Sequence, residues 1–315
     1  MAVWKAPMDE NEIKKEINEV LRIKNRECKE SRDIKTDKFP RIQSPSSINT
    51  FKQCPRKYYY NYIVGLETLP SIHLIRGKLT HSVLEDFFQV DVNHLNETNF
   101  MFDLRIVIME LFKKHWNDNA KEISKLGLTQ SELDFYKQET HYMIDIWFKR
   151  FVHTVAEEMM ALGFKNAFLK HTPLREEEYI SHEHGVRGFI DAIYEFEKNI
   201  NGAIVKDVQL IDYKTSKRAQ ISDEYRLQLA IYAMLYNEKH GFPPTKVGLD
   251  FLKFEGPPVC INVDEELMEF AKKEVAQVHE KTKTRAKKDY PKNISALCKW
   301  HSGQCDFYDF CRKDD

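Results

Sequence analysis

Residues 186–214 read VRGFIDAIYEFEKNINGAIVKDVQLIDYK, and this stretch decides the fold. Two runs rich in Ile, Val, Tyr and Phe flank Asn201-Gly202, a dipeptide suited to the tight turn of a β-hairpin. The runs VRGFIDAIYEF and VQLIDYKT therefore read as strands. EEEYISHE at 176–183 precedes them as a third. Asp is disfavoured within strands, yet Asp191 and Asp212 each sit inside an apolar run. Asp212 and Lys214 are two apart, so on a strand they face the same side. Asp191 and Asp212 lie at about the same distance from the turn, so a hairpin closed there can bring both to the same face.

Two carboxylates on adjacent strands make a hard-oxygen site suited to Mg²⁺ or Mn²⁺. A lysine beside them can stabilise charge or orient a water. Such a site can activate water and neutralise a phosphodiester transition state. A plain surface ion pair would also account for Asp212 and Lys214 alone. The apolar surroundings of both aspartates favour the metal, since a buried carboxylate needs a partner.

Working outward, 223–239 (DEYRLQLAIYAMLYNEK) reads as a helix, KVGLDFLKFE as a further strand after a Gly/Pro break, and about 264–288 as a last helix. Upstream, 100–170 is helical, rich in Phe, Met, Leu and Trp. RGKLTHSVLEDFFQV at 76–90 is helical too. SPSSINTFKQCPRKYYY opens another helix, with Ser46 or Ser47 as N-cap and a kink or a new first turn at Pro55. A charged amphipathic helix is expected at 9–31, followed by a linker to 44. The order predicts an α/β core with a mixed β-sheet flanked by helices.

The chain has 315 residues, 42% hydrophobic and 31% charged, which fits a soluble globular protein. No apolar run is long enough to span a bilayer, and the first residues lack the pattern of a signal peptide. A cytoplasmic, intracellular protein is expected. The net charge of −1 gives no global basic field. The basic stretch 272–292 is a local patch, read most simply as a solvated helix face and loop. Of six cysteines, Cys298, Cys305 and Cys311 crowd into the last 18 residues. In an intracellular chain that clustering suggests a metal site. Cys28 and Cys260 have no such context.

GFIDAI, then IDYKTS, then Gln228-x-x-x-Tyr232 resembles the RecB-type family of PD-(D/E)XK nucleases, whose G-x-x-D, D-x-K and Q-x-x-x-Y motifs occur in this order. GKLTHSVLEDF resembles that family's histidine-bearing helix. SPSSINTFKQCPRKYYY resembles the N-terminal segment of AddB-like and CRISPR-associated members. The likeness covers residues 44–315. It implies a restriction-endonuclease-like core with metal ligands His81, Asp191 and Asp212, and Lys214 as the catalytic lysine. Gln228 and Tyr232, on one helix face, would stand beside the active site and DNA. Relatives carry an acidic residue on the preceding strand. Glu176, Glu177 and Glu178 compete for it, with Glu178 the choice, and Glu85 is a further candidate near His81.

The resemblance also implies a 4Fe-4S cluster on Cys54, Cys298, Cys305 and Cys311. The six-residue gap from Cys298 to Cys305 is longer than the family's usual one. The rival is zinc on Cys298, His301, Cys305 and Cys311.

The expected layout is a charged segment 1–44 and a nuclease domain 45–315. Within the latter lie a helical elaboration at about 94–170, a catalytic core at about 174–260, and a C-terminal helix and cysteine tail at 264–315. The expected function is a Mg- or Mn-dependent DNA nuclease, as a single-strand exonuclease processing DNA ends in recombination, repair or replication. DNA processing for CRISPR adaptation and a non-catalytic DNA-binding subunit of a helicase–nuclease are the alternatives. No phosphate loop of the G-x-x-x-x-G-K-[ST] type occurs, so a helicase partner would be a separate chain.

Overall fold

The computed structural model describes residues 39–313 other than 201 and 302. The helix expected at 9–31, Cys28 and Asn201 lie outside them.

Five strands form one sheet in sequence order: β1 (Leu174–Ser181), β2 (Val186–Ile200), β3 (Ala203–Lys214), β4 (Lys246–Phe251) and β5 (Val259–Asn262). β1, β2 and β3 make an antiparallel meander. Ile200 pairs with Ala203, so the β2–β3 turn is the two-residue turn the sequence predicts, and Gly202 holds φ +86° there. β4 runs parallel to β3, which requires a crossover. Helix α8 (Asp223–His240), between the helices named below, supplies it. β5 is a four-residue edge strand that the sequence reading missed. Its VCIN is too short to show a period.

Helices cover both faces. On one, α3 (Ile72–Phe87), α4 (Phe100–Asp118), the short α5 (Ala120–Ser124), α6 (Gln130–Leu162) and α7 (Phe164–Lys170) surround an aromatic core. Phe87, Trp147 and Phe151 pack there against Ala192, Ile211 and Tyr213 of the sheet. On the other face, α1 (Pro45–Gln53), α8 and α9 (Glu265–Lys281) cover Val186, Ile190, Leu210 and Leu249. Nine residues of α8 are buried, as expected of a helix enclosed on nearly every side.

Ser44, rather than Ser46 or Ser47, caps α1. Pro45 takes the first helical position, and Ser47 closes a capping box back to Ser44. At Pro55 the chain starts a new turn, α2 (Pro55–Tyr58), which runs on as a π-helical turn to Val64. The basic stretch after 272 is the exposed side of α9 and the loop beyond Thr282. Among the described residues no helix is long and apolar enough to cross a membrane.

Candidate active site

The alternation of β2 breaks at Asp191. Ile190 and Ile193, three residues apart, both pack under α8, while Ala192 packs on the opposite face. β1 is distorted at the same level: Arg175 pairs with Ala192 and Glu177 with Ile190, but Glu176 is skipped. Glu176 holds φ +50°, the sole positive φ among described non-glycine residues. A residue other than glycine in that region is strained by about 1 kcal/mol or more.

The distortion turns Asp191 and Glu176 toward α3. One ligand atom each from His81, Glu176 and Asp191 lies within 4.8 Å of the others. His81 reaches across from α3, with Nδ1 3.2 Å from Asp191 Oδ2. Its Nε2–H donates to the Tyr213 carbonyl at 2.9 Å. The Tyr213 backbone N–H donates to Asp191 Oδ2 at 2.7 Å. Burial acts to lower the His81 pKa, but the negative field of Asp191, Asp212 and Glu176 outweighs it and raises the value to about 9.

β3 keeps its alternation, so Asp212 and Lys214 share a face as expected, and that face meets α8. Lys214 Nζ lies 2.6 Å from Asp212 Oδ2. Gln228 bridges the two: its Nε2 donates to Asp212 Oδ1 at 2.8 Å and its Oε1 accepts from Lys214 at 2.9 Å. The Tyr232 hydroxyl donates to Asp212 Oδ1 at 3.3 Å. Burial raises the Asp212 pKa, helped by Asp191 and opposed by Lys214 and His81. Burial pulls the Lys214 pKa down, but Asp212 and Asp191 leave it raised. Lys214 thus stays cationic.

Gly188 opens the sequence's G-x-x-D. A Cβ there would stand 2.8 Å from the Tyr232 ring, so only glycine lets that tyrosine reach Asp212.

The structure thus brings His81 and Asp191 together with Glu176, and sets Asp212, Lys214, Gln228 and Tyr232 beside them. Glu178, the sequence choice, lies outside the group, its Oε1 3.6 Å from Arg187. Alternation could not have found Glu176, because its direction is set by a backbone kink. Glu85 sits in the field of Arg175.

Four of the cysteines line one cavity. Cys54, between α1 and α2, shares a cavity of about 220 Å³ with Cys298, Cys305 and Cys311. Several contacts hold the N-terminal segment there. Arg56 Nε donates to the Tyr290 carbonyl at 2.8 Å, and Asn293 Nδ2 to the Gln53 carbonyl at 2.7 Å. The long gap between Cys298 and Cys305 is taken up by a small hairpin, β6 (Lys299–Trp300) and β7 (Gly303–Gln304). At its base the Cys305 N–H donates to the Cys298 carbonyl at 2.9 Å. Cys311 lies on the last short helix, α10 (Tyr308–Arg312). Burial raises the thiol pKa of Cys305 and of Cys311. His301 is exposed and does not line the cavity. Cys260 is half-buried on β5, apart from the other thiols.

The sequence pattern of the PD-(D/E)XK nuclease superfamily matches residues 43–312, and the chain belongs to that superfamily. The mixed sheet between helical layers is its restriction-endonuclease-like core. No curated protein matches the chain. Among solved structures, the crystal structure of a candidate exonuclease from Eubacterium rectale is 13% identical, over 87% of this chain and 88% of that one, with a TM-score of 0.46.

Proposed function

We propose that this nuclease hydrolyses DNA phosphodiester bonds with Mg²⁺ or Mn²⁺, acting on single strands from their ends in recombination, repair or replication. The observation that carries this reading is the tight group of His81, Glu176 and Asp191 beside the Asp212–Lys214 pair. The donor set fits a hard divalent ion: carboxylate oxygens and one imidazole. Asp212, whose Oδ2 meets the Lys214 ammonium at 2.6 Å, stands beside that group. His81, Glu176, Asp191 and Asp212 would hold the ion, which supplies a nucleophilic water at neutral pH and charge neutralisation at the phosphate.

The rest of the work falls to the chain. Lys214, held by Gln228, places a fixed positive charge where negative charge develops on the phosphate. Gln228 and Tyr232 orient Asp212. A DNA-binding subunit without activity would have no use for a glutamate held in a strained backbone between His81 and Asp191.

The four thiols fit an iron–sulfur cluster better than zinc. The proposed zinc set needs His301, which is exposed and outside the cavity, whereas Cys54 lines it with Cys298, Cys305 and Cys311. Four cysteines around one cavity, Cys54 included, suit a multi-iron centre. Its role would be to tie α1 to the C-terminus.

The test is degradation of labelled single-stranded DNA, linear and circular, with Mg²⁺, with Mn²⁺ and with chelator. Metal-dependent loss of the linear strand, with the circle spared, is the expected result. An inert linear strand under every condition overturns the reading.

A further inference from the structure

A second cavity, of about 420 Å³, lies beyond the end of β3. There Gln43 takes β3's place along β2: its N–H donates to the Gly185 carbonyl, and the Arg187 N–H donates to the Gln43 carbonyl. The ionisable side chains lining this cavity, apart from two tyrosines, are all cationic: Arg41, Arg187, Lys283 and Arg285. Glu178 approaches Arg187 at 3.6 Å and Glu280 meets Lys283 at the surface. Among the described residues no carboxylate pairs with Arg41 or Arg285. Arg41 stacks on the Tyr62 ring at 4.3 Å, and its Nε is buried without a hydrogen-bond partner. The fully buried Tyr58 and the buried Ile42 also line it and close its inner side.

Arg187 shares a face of β2 with the acidic group. Gly188 looks toward Tyr232 on α8, so Arg187 looks the other way, toward the side on which Asp191 meets His81. Asp191 stands four positions along the strand from Arg187, about 13 Å at ~3.3 Å per residue.

We propose that this pocket binds the terminal phosphate of a nucleic-acid strand whose next few nucleotides lie across the acidic site. Three guanidiniums match a phosphate's oxygens by paired N–H donors. A phosphomonoester carries up to two negative charges at neutral pH and so suits four cations better than a phosphodiester does. A closed inner wall fits a strand end better than a strand passing through. At ~3.4 Å per stacked nucleotide, about 13 Å spans roughly four nucleotides, fewer if the strand is stretched. The pocket then acts as a ruler, and cleavage releases short oligonucleotides. This deepens the nuclease reading and rests on it for the product length, whereas binding of the end does not require cleavage.

The experiment is affinity without divalent ions for one short single strand in three forms: 5′-phosphorylated, 3′-phosphorylated, and with hydroxyls at both ends. We expect one phosphorylated form, whose polarity the comparison identifies, to bind wild type about tenfold more tightly than the hydroxyl form. In R41Q/R285Q that difference is lost, and the salt slope falls by about two, one per phosphate contact. Inorganic pyrophosphate competes with the favoured form in wild type. Equal affinity of all three forms in wild type overturns the proposal whatever the variant does, and leaves the nuclease reading standing if Mg²⁺-dependent cleavage persists. A preference for one phosphorylated end in a protein that never cleaves sinks the nuclease reading instead, and keeps the pocket.

Discussion

Glu176 stands across from Asp191 at the one level where both strands of the β1–β2 pair lose their alternation, and it holds φ +50° to do so. The two carboxylates meet His81 only because of that distortion. Strain of this kind persists where the surroundings enforce it, and it is commonest at functional sites. Glu176→Gly should therefore raise thermal stability slightly, by about 1 kcal/mol, while abolishing metal-dependent cleavage. Glu178→Gln should leave cleavage near wild type. Melting curves and cleavage rates on the two variants check this. An active Glu176→Gly with an inactive Glu178→Gln would return the role to Glu178.

Asp191→Ala or Asp212→Ala should abolish cleavage with the fold and DNA binding retained, because each removes a carboxylate proposed to hold the ion. Lys214→Ala should lower kcat far more than it weakens binding, since a charge that matters in the transition state appears in kcat. Single-turnover rates at saturating DNA separate the two effects. Unchanged turnover with lost affinity would make Lys214 a phosphate contact.

Gly188→Ala should cost about 2 kcal/mol and much of the activity, although its side chain is one methyl group. The new Cβ would stand 2.8 Å from the Tyr232 ring, forcing Tyr232 off Asp212 or the strand off α8. Gly188→Ala/Tyr232→Leu, with the ring gone, should recover stability without full activity. Denaturant melts of the single and double variants measure the coupling.

Much of this site is legible in sequence, for physical reasons. Asp212 and Lys214 lie two apart on a regular strand, and Gln228 and Tyr232 four apart on a helix. Short periods carry their geometry with them. Glu176 was hidden because its direction comes from a kink that no alternation encodes. Ser44 was passed over as a cap because the cap position follows from Pro45 taking the first turn. β5 was missed because four residues on an edge show no period. The thiol cavity was legible in composition but not in spacing, since the β6–β7 hairpin consumes the residues between Cys298 and Cys305.

Anaerobically purified protein should be brown, with about four irons per chain, and Cys54→Ala should bleach it and lower Tm. His301→Ala should change neither, as His301 is exposed and outside the cavity. Iron and zinc analysis of the three proteins checks this. A colourless wild type holding zinc that survives Cys54→Ala and is lost in His301→Ala would overturn it.

Acid should loosen the helical layer through Glu139. This residue meets the buried Arg76 at 2.5 Å and Lys253 at 2.6 Å. Burial acts to raise its pKa, but Lys253 and Arg76 prevail and hold it below its ordinary 4.5. A depressed carboxylate stabilises the fold above its unfolded pKa, and that contribution is lost as pH falls through the folded value. Glu139→Gln should thus cost about 2 kcal/mol near pH 7 by stranding Arg76, and the cost should shrink below pH 4.5. Denaturant melts across that range give the difference. A penalty independent of pH would exclude the ion pair as its cause.

The β6–β7 hairpin makes the distance between two cysteines along the chain independent of their distance in space. Residues added in cross-strand pairs lengthen its ladder while its base stays put, where the Cys305 amide meets the Cys298 carbonyl. A single added residue breaks the pairing and has to bulge out. Gaps in this part of the chain should therefore drift in even steps among descendants of one ancestor. A pattern search built on a fixed interval would lose such descendants one after another, although every thiol still stood in place.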